Sequence, residues 1–160
     1  MKASTRKWVP MLAMASSVLL GAIPASTGNR GGDIDICKQV SAEQLKQLYH
    51  KPLFPTASTD ACFWSEKPGG MADMDIQVHD VNGPLRDYFD ESFGPKAKLV
   101  KISDLGDEGL MSVGEGTLGV VVIRKGKQVL QSAVTFLDIE PGSEQQTVLW
   151  DIYRKILEQM

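Results

Sequence analysis

The sequence has few of the residues on which catalytic and nucleic-acid-binding proteins depend. Its 160 residues contain two histidines and two cysteines, which leaves His50 and His79 as the only imidazole bases. Positive charge is not in excess, because 17 Lys and Arg stand against 20 Asp and Glu, for a net charge of −3. The basic residues are scattered, whereas nucleic acids and anionic membranes select a clustered basic face. We therefore expect neither nucleic acid nor a membrane surface among the partners.

The N-terminus has the three parts of a secretory signal peptide. Lys2, Arg6 and Lys7 form a basic segment, an apolar run covers residues 8–23, and small residues follow at 24–28. A proline interrupts the apolar run, which is also shorter than the about 20 residues that a membrane-spanning helix needs. No cysteine follows the run to carry a lipid. The chain is therefore expected to be exported, to a periplasm or to the medium, and to be free of the membrane once the signal is removed.

The boundaries of the processed chain follow from this segment. The expected signal peptide is residues 1–25, although cleavage after Ala22 or Thr27 stays open. Residues 26–33 are small and polar and are expected to be a flexible leader. Residues 34–160 are expected to form a single domain without an internal linker. The processed chain keeps 14 basic and 20 acidic residues, which gives it a net charge of −6.

Both cysteines, Cys37 and Cys62, lie in the processed part of the chain. In an exported protein, two thiols favour a disulfide over a metal site or a reactive nucleophile. The bridge would close a loop of about 25 residues and contribute on the order of 3 kcal/mol in the chain-entropy model. Two separately buried free cysteines stay open as the alternative.

Apolar periodicity and capping signals predict three helices and six strands in the order α-β-β-α-β-β-β-β-α. The helices begin at a Ser41–Gln44 capping box, at the turn of residues 82–84 and at a second capping box, Ser143–Gln146. The first helix is expected to end before two prolines, with Cys37 just ahead of its start. The strands are expected at residues 61–65, 74–79, 99–102, 110–113, 118–123 and 129–137. Because strands follow one another, the expected fold class is α+β, a single two-layer domain with a mainly antiparallel sheet packed by two or three helices.

The expected core consists of apolar residues that recur at helix or strand spacing. Residues 118–123 form a nearly continuous apolar run, which suits a central strand covered on both faces. The last helix has the clearest amphipathic pattern in the chain. The core residues expected from the helices and the return strand are Leu45, Leu48, Tyr49, Leu85, Tyr88, Phe89, Phe93, Leu130, Val134, Phe136, Leu149, Ile152, Tyr153, Ile156, Leu157 and Met160.

The motifs that resemble catalytic signatures lack the context that those signatures need. Residues 114–119 read G-x-G-x-x-G, but a strand pattern follows where a dinucleotide site needs a helix, so we expect a glycine-rich hairpin turn. Ser112 lacks the first glycine of a nucleophile elbow, because position 110 is Leu. A Ser-His pair would use His50, at the frayed end of a helix, or His79, on the polar face of a strand. Both are expected to be solvated, so no catalytic residue and no cofactor is assigned.

One candidate binding surface lies on the polar face of the second predicted strand. Asp73, Asp75 and His79 alternate with apolar residues and share this face with Gln77. Two carboxylates and an imidazole suit a divalent cation, whereas alternation alone produces a polar face turned to solvent. The second interpretation is favoured, so no metal site is assigned.

A second candidate surface is the acidic turn formed by Asp104, Asp107 and Glu108. Such a turn suits a weak cation site or a contact with a basic partner. Asp and Gly in turns also form local hydrogen bonds that stabilise the turn itself. Turn chemistry is the favoured interpretation, and these residues are kept as candidate contacts with a partner.

Several segments together resemble a family of small exported bacterial domains of unknown function. The resemblance is carried by Cys37, by residues 40–45 opening a helix, by the Cys62-x-Trp64 pair and by the Leu-Gly-Asp-Glu-Gly segment at 105–109. These domains are uncharacterised lipoprotein domains related to the extracytoplasmic sensor domains of receptor kinases. The resemblance implies a Cys37–Cys62 bridge and a two-layer domain similar to the Mog1/PsbP-like fold. It implies no catalytic residues, and the lipid-bearing cysteine of the lipoproteins is absent here.

Size, acidity and a disulfide-tied scaffold favour a non-enzymatic binding protein. The expected partner is another exported protein, which the chain would recognise as an inhibitor or a toxin-immunity factor. A net charge of −6 would accelerate association with a basic exported enzyme. A carrier or sensor of a small apolar ligand, with a cleft between the sheet and the last helix, is the alternative, and an exported hydrolase is the third hypothesis. The sequence does not specify the oligomeric state.

Overall fold

The computed structural model describes residues 34–95, 98–114, 117–135 and 137–160. The predicted signal peptide, the predicted leader and the predicted core residue Phe136 lie outside these residues. The described chain contains four helices, α1 (Ile36–Gln39), α2 (Ala42–Tyr49), α3 (Leu85–Phe93) and α4 (Glu144–Gln159). Its strands are β1 (Phe54–Ser58), β2 (Ala61–Ser65), β3 (Met74–Asp80), β4 (Leu99–Ile102), β5 (Glu108–Gly114), β6 (Thr117–Lys125) and β7 (Gln128–Val134). Within the described residues, no helix combines the length and the apolar character needed to cross a membrane.

The seven strands form one antiparallel sheet in the order β1-β2-β3-β7-β6-β5-β4. Its centre is the β3–β7 pair, which joins the three N-terminal strands to the four C-terminal strands. The predicted α+β class is therefore confirmed, with one strand more than the six predicted. The additional strand, β1, has all five residues exposed and contains Pro55, so it has no alternating burial pattern.

One face of the sheet is covered by α1, α2 and α4. The core on this face includes fully buried side chains from the sheet, such as Trp64, Ile123 and Leu130. From α4 it receives Ile152 and Tyr153, which are also fully buried. Burial of this apolar surface supplies most of the driving force for folding, at roughly 25 cal/mol per Å² removed from water. The apolar face predicted for the last helix is confirmed, although Met160 is only partly buried.

The opposite face is covered only in part, by the nine-residue helix α3. Leu85 and Phe89 of α3 pack on Leu110, Val122 and Val129 in a second, smaller apolar cluster. These contacts place α3 over β5, β6 and β7. Strand β6 is therefore buried on both faces, as its continuous apolar run predicts, because neighbouring residues of β6 belong to different clusters.

A disulfide joins Cys37 of α1 to Cys62 of β2. It ties the start of the described chain to the sheet across 25 residues of sequence. Cys37 lies within α1, a single turn that the sequence pattern does not predict, and α2 follows directly. The bridge itself was predicted, and the alternative of two free cysteines is excluded by its presence.

The predicted helix starts are confirmed, with one difference in detail. At α2 the Ser41 side chain accepts from the Gln44 N–H, and the Gln44 side chain accepts from the Ser41 N–H, which completes a capping box. At α4 Ser143 accepts from the Gln146 N–H, but the Gln146 side chain accepts from Gly142 instead of Ser143. Both helices thus have their first free N–H groups satisfied by side chains.

Candidate binding surface

The half of the sheet that α3 leaves uncovered carries a group of half-buried side chains. We call this surface the open face. Strand alternation and register place these side chains on the face opposite α1, α2 and α4. Among the described residues, α3 contacts two members of this group, His79 and Gln131, through Tyr88, and no helix lies over the others. The open face consists of Ala61, Phe63, Asp75, Gln77, His79, Gln131 and Ala133, with Phe54 and Thr56 of the edge strand β1 beside them.

A chain of hydrogen bonds links the open face to α3. The Tyr88 hydroxyl donates to the Gln131 side-chain oxygen, and His79 Nε2 lies 2.7 Å from the same hydroxyl. Because a hydroxyl has a single hydrogen, the His79 Nε2–H is the donor in this second bond. The two rings also contact each other, with centroids 5.3 Å apart. This chain fixes His79 against α3 and orients a polar group from each of three elements.

Two titratable groups of the open face are shifted by burial. Burial raises the pKa of Asp75 above its ordinary value of 3.8, and hydrogen bonds from Gln77 and from the Ala133 backbone lower it by less. Burial also lowers the pKa of His79 below 6.5, against the opposing effect of Asp60 and Asp80. Both shifts mean that the charged forms are poorly solvated where they stand.

A cleft of about 390 Å³ opens beside the open face, between the end of β3 and α3. We call it the α3 cleft. Ligand sites in proteins have volumes of about 300–1,000 Å³, so the cleft is large enough for one side chain or a small molecule. It is lined by His79 and Tyr88, by the turn of residues 81–84, and by the carboxylates Asp80, Asp87 and Glu91. The cleft thus combines one aromatic residue, one imidazole and three acidic side chains.

Asp73 does not lie on the open face with Asp75, contrary to the sequence interpretation. It precedes β3, is 5% exposed, and its Oδ1 lies 2.9 Å from Lys51 Nζ. Its other carboxylate oxygen accepts from the Glu66 N–H at 3.1 Å, and its carbonyl accepts from the Tyr49 hydroxyl at 2.6 Å. These contacts join the end of α2 to the end of β2, so Asp73 is a structural residue here.

The acidic turn lies at the same end of the sheet as His79 but faces α4. Asp104 Oδ2 is 3.6 Å from the Arg154 guanidinium, and Asp107 accepts from the Gly126 N–H at 2.7 Å. Glu108 is exposed at the start of β5. Two of the three acids therefore contact residues distant in sequence, on the β6–β7 turn and on α4, and not the local groups that turn chemistry would use.

The Leu-Gly-Asp-Glu-Gly segment has packing reasons for its residue types. Leu105 is buried in the main core. Gly106 has φ +65°, and a Cβ there would overlap the Arg124 carbonyl. A Cβ at Gly109 would lie 2.8 Å from Ile102 Cβ on the neighbouring strand. Only glycine fits such close approaches without displacement of the backbone, so the segment is explained by the fold.

The six candidate residues therefore do not form one surface. Asp75 and His79 lie on the open face, whereas Asp73 and Asp104 form ion pairs with Lys51 and Arg154 on the side of α2 and α4. Glu108 is opposite Arg124 in the β5–β6 ladder, which places it on the α3 side of the sheet. Sequence reasoning missed Tyr88, which it assigned to the core, and the cleft residues Asp87 and Glu91. The i, i+4 spacing of these two acids on α3 is a signal that one helix face is acidic.

The residues weighed for catalysis have other contacts. Ser112 accepts from the Val120 N–H at 2.9 Å, next to the irregularity in the β5–β6 ladder. His50 is the exposed C-cap of α2. Gly114 ends β5 and is opposite Thr117 at the start of β6, so the element that follows the glycine-rich motif is a strand and not a helix. In the part of the chain that the structure describes, no group of three or more His, Cys, Asp or Glu side chains is placed to hold a metal ion.

Comparison of the chain with models of protein families, with curated proteins and with solved structures found no match. The resemblance to exported lipoprotein and sensor domains thus remains a prediction from the sequence. Any assignment of function depends on the geometry described above.

Proposed function

We propose that the chain is a non-enzymatic, exported binding protein that recognises another exported protein through the open face. The observation that carries this proposal is the half-covered sheet. Helix α3 buries β5 and β6 on this side, whereas the half-buried side chains of β2, β3 and β7 remain uncovered among the described residues, apart from the contacts of His79 and Gln131 with Tyr88. A surface of this kind, with aromatic residues next to polar groups, is typical of protein interfaces.

Rigidity of the open face supports binding of a preformed partner. The strands that carry it are paired on both sides, apart from β1. The disulfide anchors β2 to α1, and the hydrogen bonds among His79, Tyr88 and Gln131 fix the boundary with α3. A preorganised surface loses little conformational freedom on association, which favours affinity.

Export is supported by the signal-like N-terminus and by the disulfide, since structural disulfides persist in oxidising compartments. These two features together support a periplasmic or secreted location. An inhibitor or an immunity factor is the kind of binding protein that fits a small, tied domain.

The carrier hypothesis receives less support from the packing. The proposed apolar cleft would lie between the sheet and α4, where Trp64, Leu130, Ile152, Tyr153 and Ile156 are fully or almost fully buried. An apolar ligand would have to displace these side chains. A hydrolase is disfavoured because neither His79 nor His50 is hydrogen-bonded to a serine or cysteine side chain within the described residues.

The proposal is tested by capture from the exported fraction of the source organism with the purified chain as bait. Thr56→Arg places a long cation at an exposed position beside Phe63 on the open face. Gln47→Arg makes the same change at an exposed position of α2, on the other side of the sheet. We expect the unchanged chain and Gln47→Arg to retain a stoichiometric protein that Thr56→Arg loses.

Two outcomes would contradict the proposal. One is that no stoichiometric partner is retained under native conditions. The other is that a partner is retained equally by both variants, because the open face would then play no part in binding. Circular dichroism of both variants controls for unfolding.

A further inference from the structure

We infer that the partner presents a basic surface, and that one lysine or arginine side chain of that surface occupies the α3 cleft. This inference rests on the proposed function and specifies the partner's chemistry. Its basis is the position of carboxylates that form no ion pair within the described residues, on the uncovered side of the sheet and next to a cleft with aromatic and imidazole walls.

Ion pairs are distributed unevenly over the described residues. Lys51 and Arg154 each contact two carboxylates, and Lys38 pairs with Asp35, all on the side of α1, α2 and α4. On the side of α3 the single pair is Arg86–Asp90. The acids around the open face and the α3 cleft form no ion pair within the described residues: Asp60, Asp75, Asp80, Asp87 and Glu91.

One basic side chain beside the cleft is already hydrogen-bonded. Arg124 approaches the turn that lines the α3 cleft, and its Nη2 donates to the Gly83 carbonyl at 2.6 Å. This contact fixes the wall of the cleft, and among the described residues the carboxylates of Asp80, Asp87 and Glu91 form no ion pair. Arg124 keeps its positive charge, but the three carboxylates that line the cleft outnumber it, so the cleft is negative and complementary to a cation from outside.

The walls of the cleft suit an alkylammonium or a guanidinium group. Tyr88 offers an aromatic ring, on which the flat guanidinium of arginine can stack. His79 is held neutral by burial, so it does not repel a cation at pH 7. Asp75 lies further along the open face, where burial makes its charge costly until a positive group approaches. A basic protein would satisfy all of these groups in one interface.

A peptide titration followed by NMR tests the inference on the ¹⁵N-labelled chain. The probe is acetyl-Gly-Arg-Gly-amide, and its control is the same peptide with neutral citrulline in place of arginine. We expect the arginine peptide to shift the amide signals of residues 79–91, and the citrulline peptide to leave them unchanged. The double variant Asp87→Asn/Glu91→Gln should weaken arginine binding roughly 2- to 30-fold, since each exposed ion contact contributes 0.2–1 kcal/mol.

The chain offers a matched control variant in Glu43→Gln/Glu144→Gln. These two exposed acids line a groove of about 380 Å³ between α2 and α4, as Asp87 and Glu91 line the α3 cleft. Neutralising these two acids should leave the affinity for the arginine peptide unchanged. The inference is overturned if both peptides shift the same signals, if neither shifts them, or if the control variant weakens binding as much as the cleft variant. It is also overturned if the open-face signals shift with protein concentration alone, because the occupant would then be a second copy.

Failure of this inference can be distinguished from failure of the proposed function. If the captured partner is lost by Thr56→Arg but binds Asp87→Asn/Glu91→Gln with unchanged affinity, the open face binds a protein without a cation in the cleft. If no partner is captured while the arginine peptide binds the cleft, the cleft recognises a cation and the protein-binding proposal is contradicted.

Discussion

Loss of the Cys37–Cys62 bridge should remove a large part of the stability of the domain. The bridge spans 25 residues, for which the chain-entropy relation gives about 3 to 4 kcal/mol of unfolding free energy at 25 °C. Domains of this size are stable by roughly 5–15 kcal/mol in total, so the loss is a substantial fraction. For a chain of this length, the loss of this unfolding free energy corresponds to a decrease in Tm of roughly 10 °C.

Reduction of the unchanged protein measures this contribution most cleanly. Cys62 is fully buried, so Cys62→Ala also removes a packed sulfur and adds the energy of a small cavity. Adding a reductant leaves both sulfur atoms in place and breaks only the covalent tie. Urea unfolding, followed by fluorescence of the buried Trp64 and Trp150, should show a lower midpoint with reductant than without it.

The double variant Cys37→Ala/Cys62→Ala serves as the control. It should be less stable than the oxidised protein and should not respond to reductant. Equal unfolding free energies for the oxidised and the reduced protein, within about 1 kcal/mol, would refute the view that the tie between α1 and β2 stabilises the fold.

Three further changes test individual contacts. Gly106→Ala should lower the unfolding free energy by about 2 kcal/mol or more, because the new Cβ would overlap the Arg124 carbonyl. Gly126→Ala should lower it by about 1 kcal/mol, because Gly126 has φ +62° but open space around it. Equal losses for the two variants in urea unfolding would contradict the packing argument. Ser41→Ala should cost about 1 kcal/mol through loss of the α2 cap, measured in the same way, and an unchanged midpoint would contradict it. Burial lowers the pKa of His79 in the folded state below its unfolded value of 6.5, so its neutral form is favoured and stability should be lost as the pH falls below 6.5. When the pH is lowered from 7.5 to 5.5, the unfolding free energy of His79→Gln should decrease less than that of the unchanged protein. Parallel plots of unfolding free energy against pH would contradict the lowered pKa of His79.

The sequence predicts elements whose burial pattern repeats along the chain. Strand β3 alternates buried and half-buried residues, and α4 buries Leu149, Ile152, Tyr153 and Ile156 at helical spacing. Each pattern is sufficient to identify its element, because one face of the element packs on a large core. The predicted start and end of these elements therefore agree closely with the structure.

Elements that depend on a tertiary neighbour were not predicted. Strand β1 is exposed at every residue, so it exists through its pairing with β2 and leaves no alternation in the sequence. Helix α1 is one turn long and buries only Ile36, and the disulfide and the Asp35 cap hold it in place. Local propensity contributes little to elements of this length.

The open face was predicted only where it follows strand alternation. Asp75 and His79 were assigned to the polar face of their strand, which the structure confirms. The hydrogen bonds of Tyr88 with His79 and with Gln131 depend on the β3–β7 register and on the side of the sheet where α3 packs, and neither is visible in a local pattern. Asp73 was misplaced because alternation was extended one residue beyond the start of β3 at Met74, where the chain turns toward Lys51.

Hydroxyl-radical footprinting of the chain, free and bound to its captured partner, tests the central proposal most directly. The proposal predicts that oxidation of Phe54, Phe63 and Tyr88 decreases on binding, because these rings lie on or beside the open face. Oxidation of His50 and Met160, on α2 and at the end of α4, should stay the same. Protection of His50 and Met160 with unchanged oxidation of the three rings would place the partner on the opposite side of the sheet and contradict the proposal.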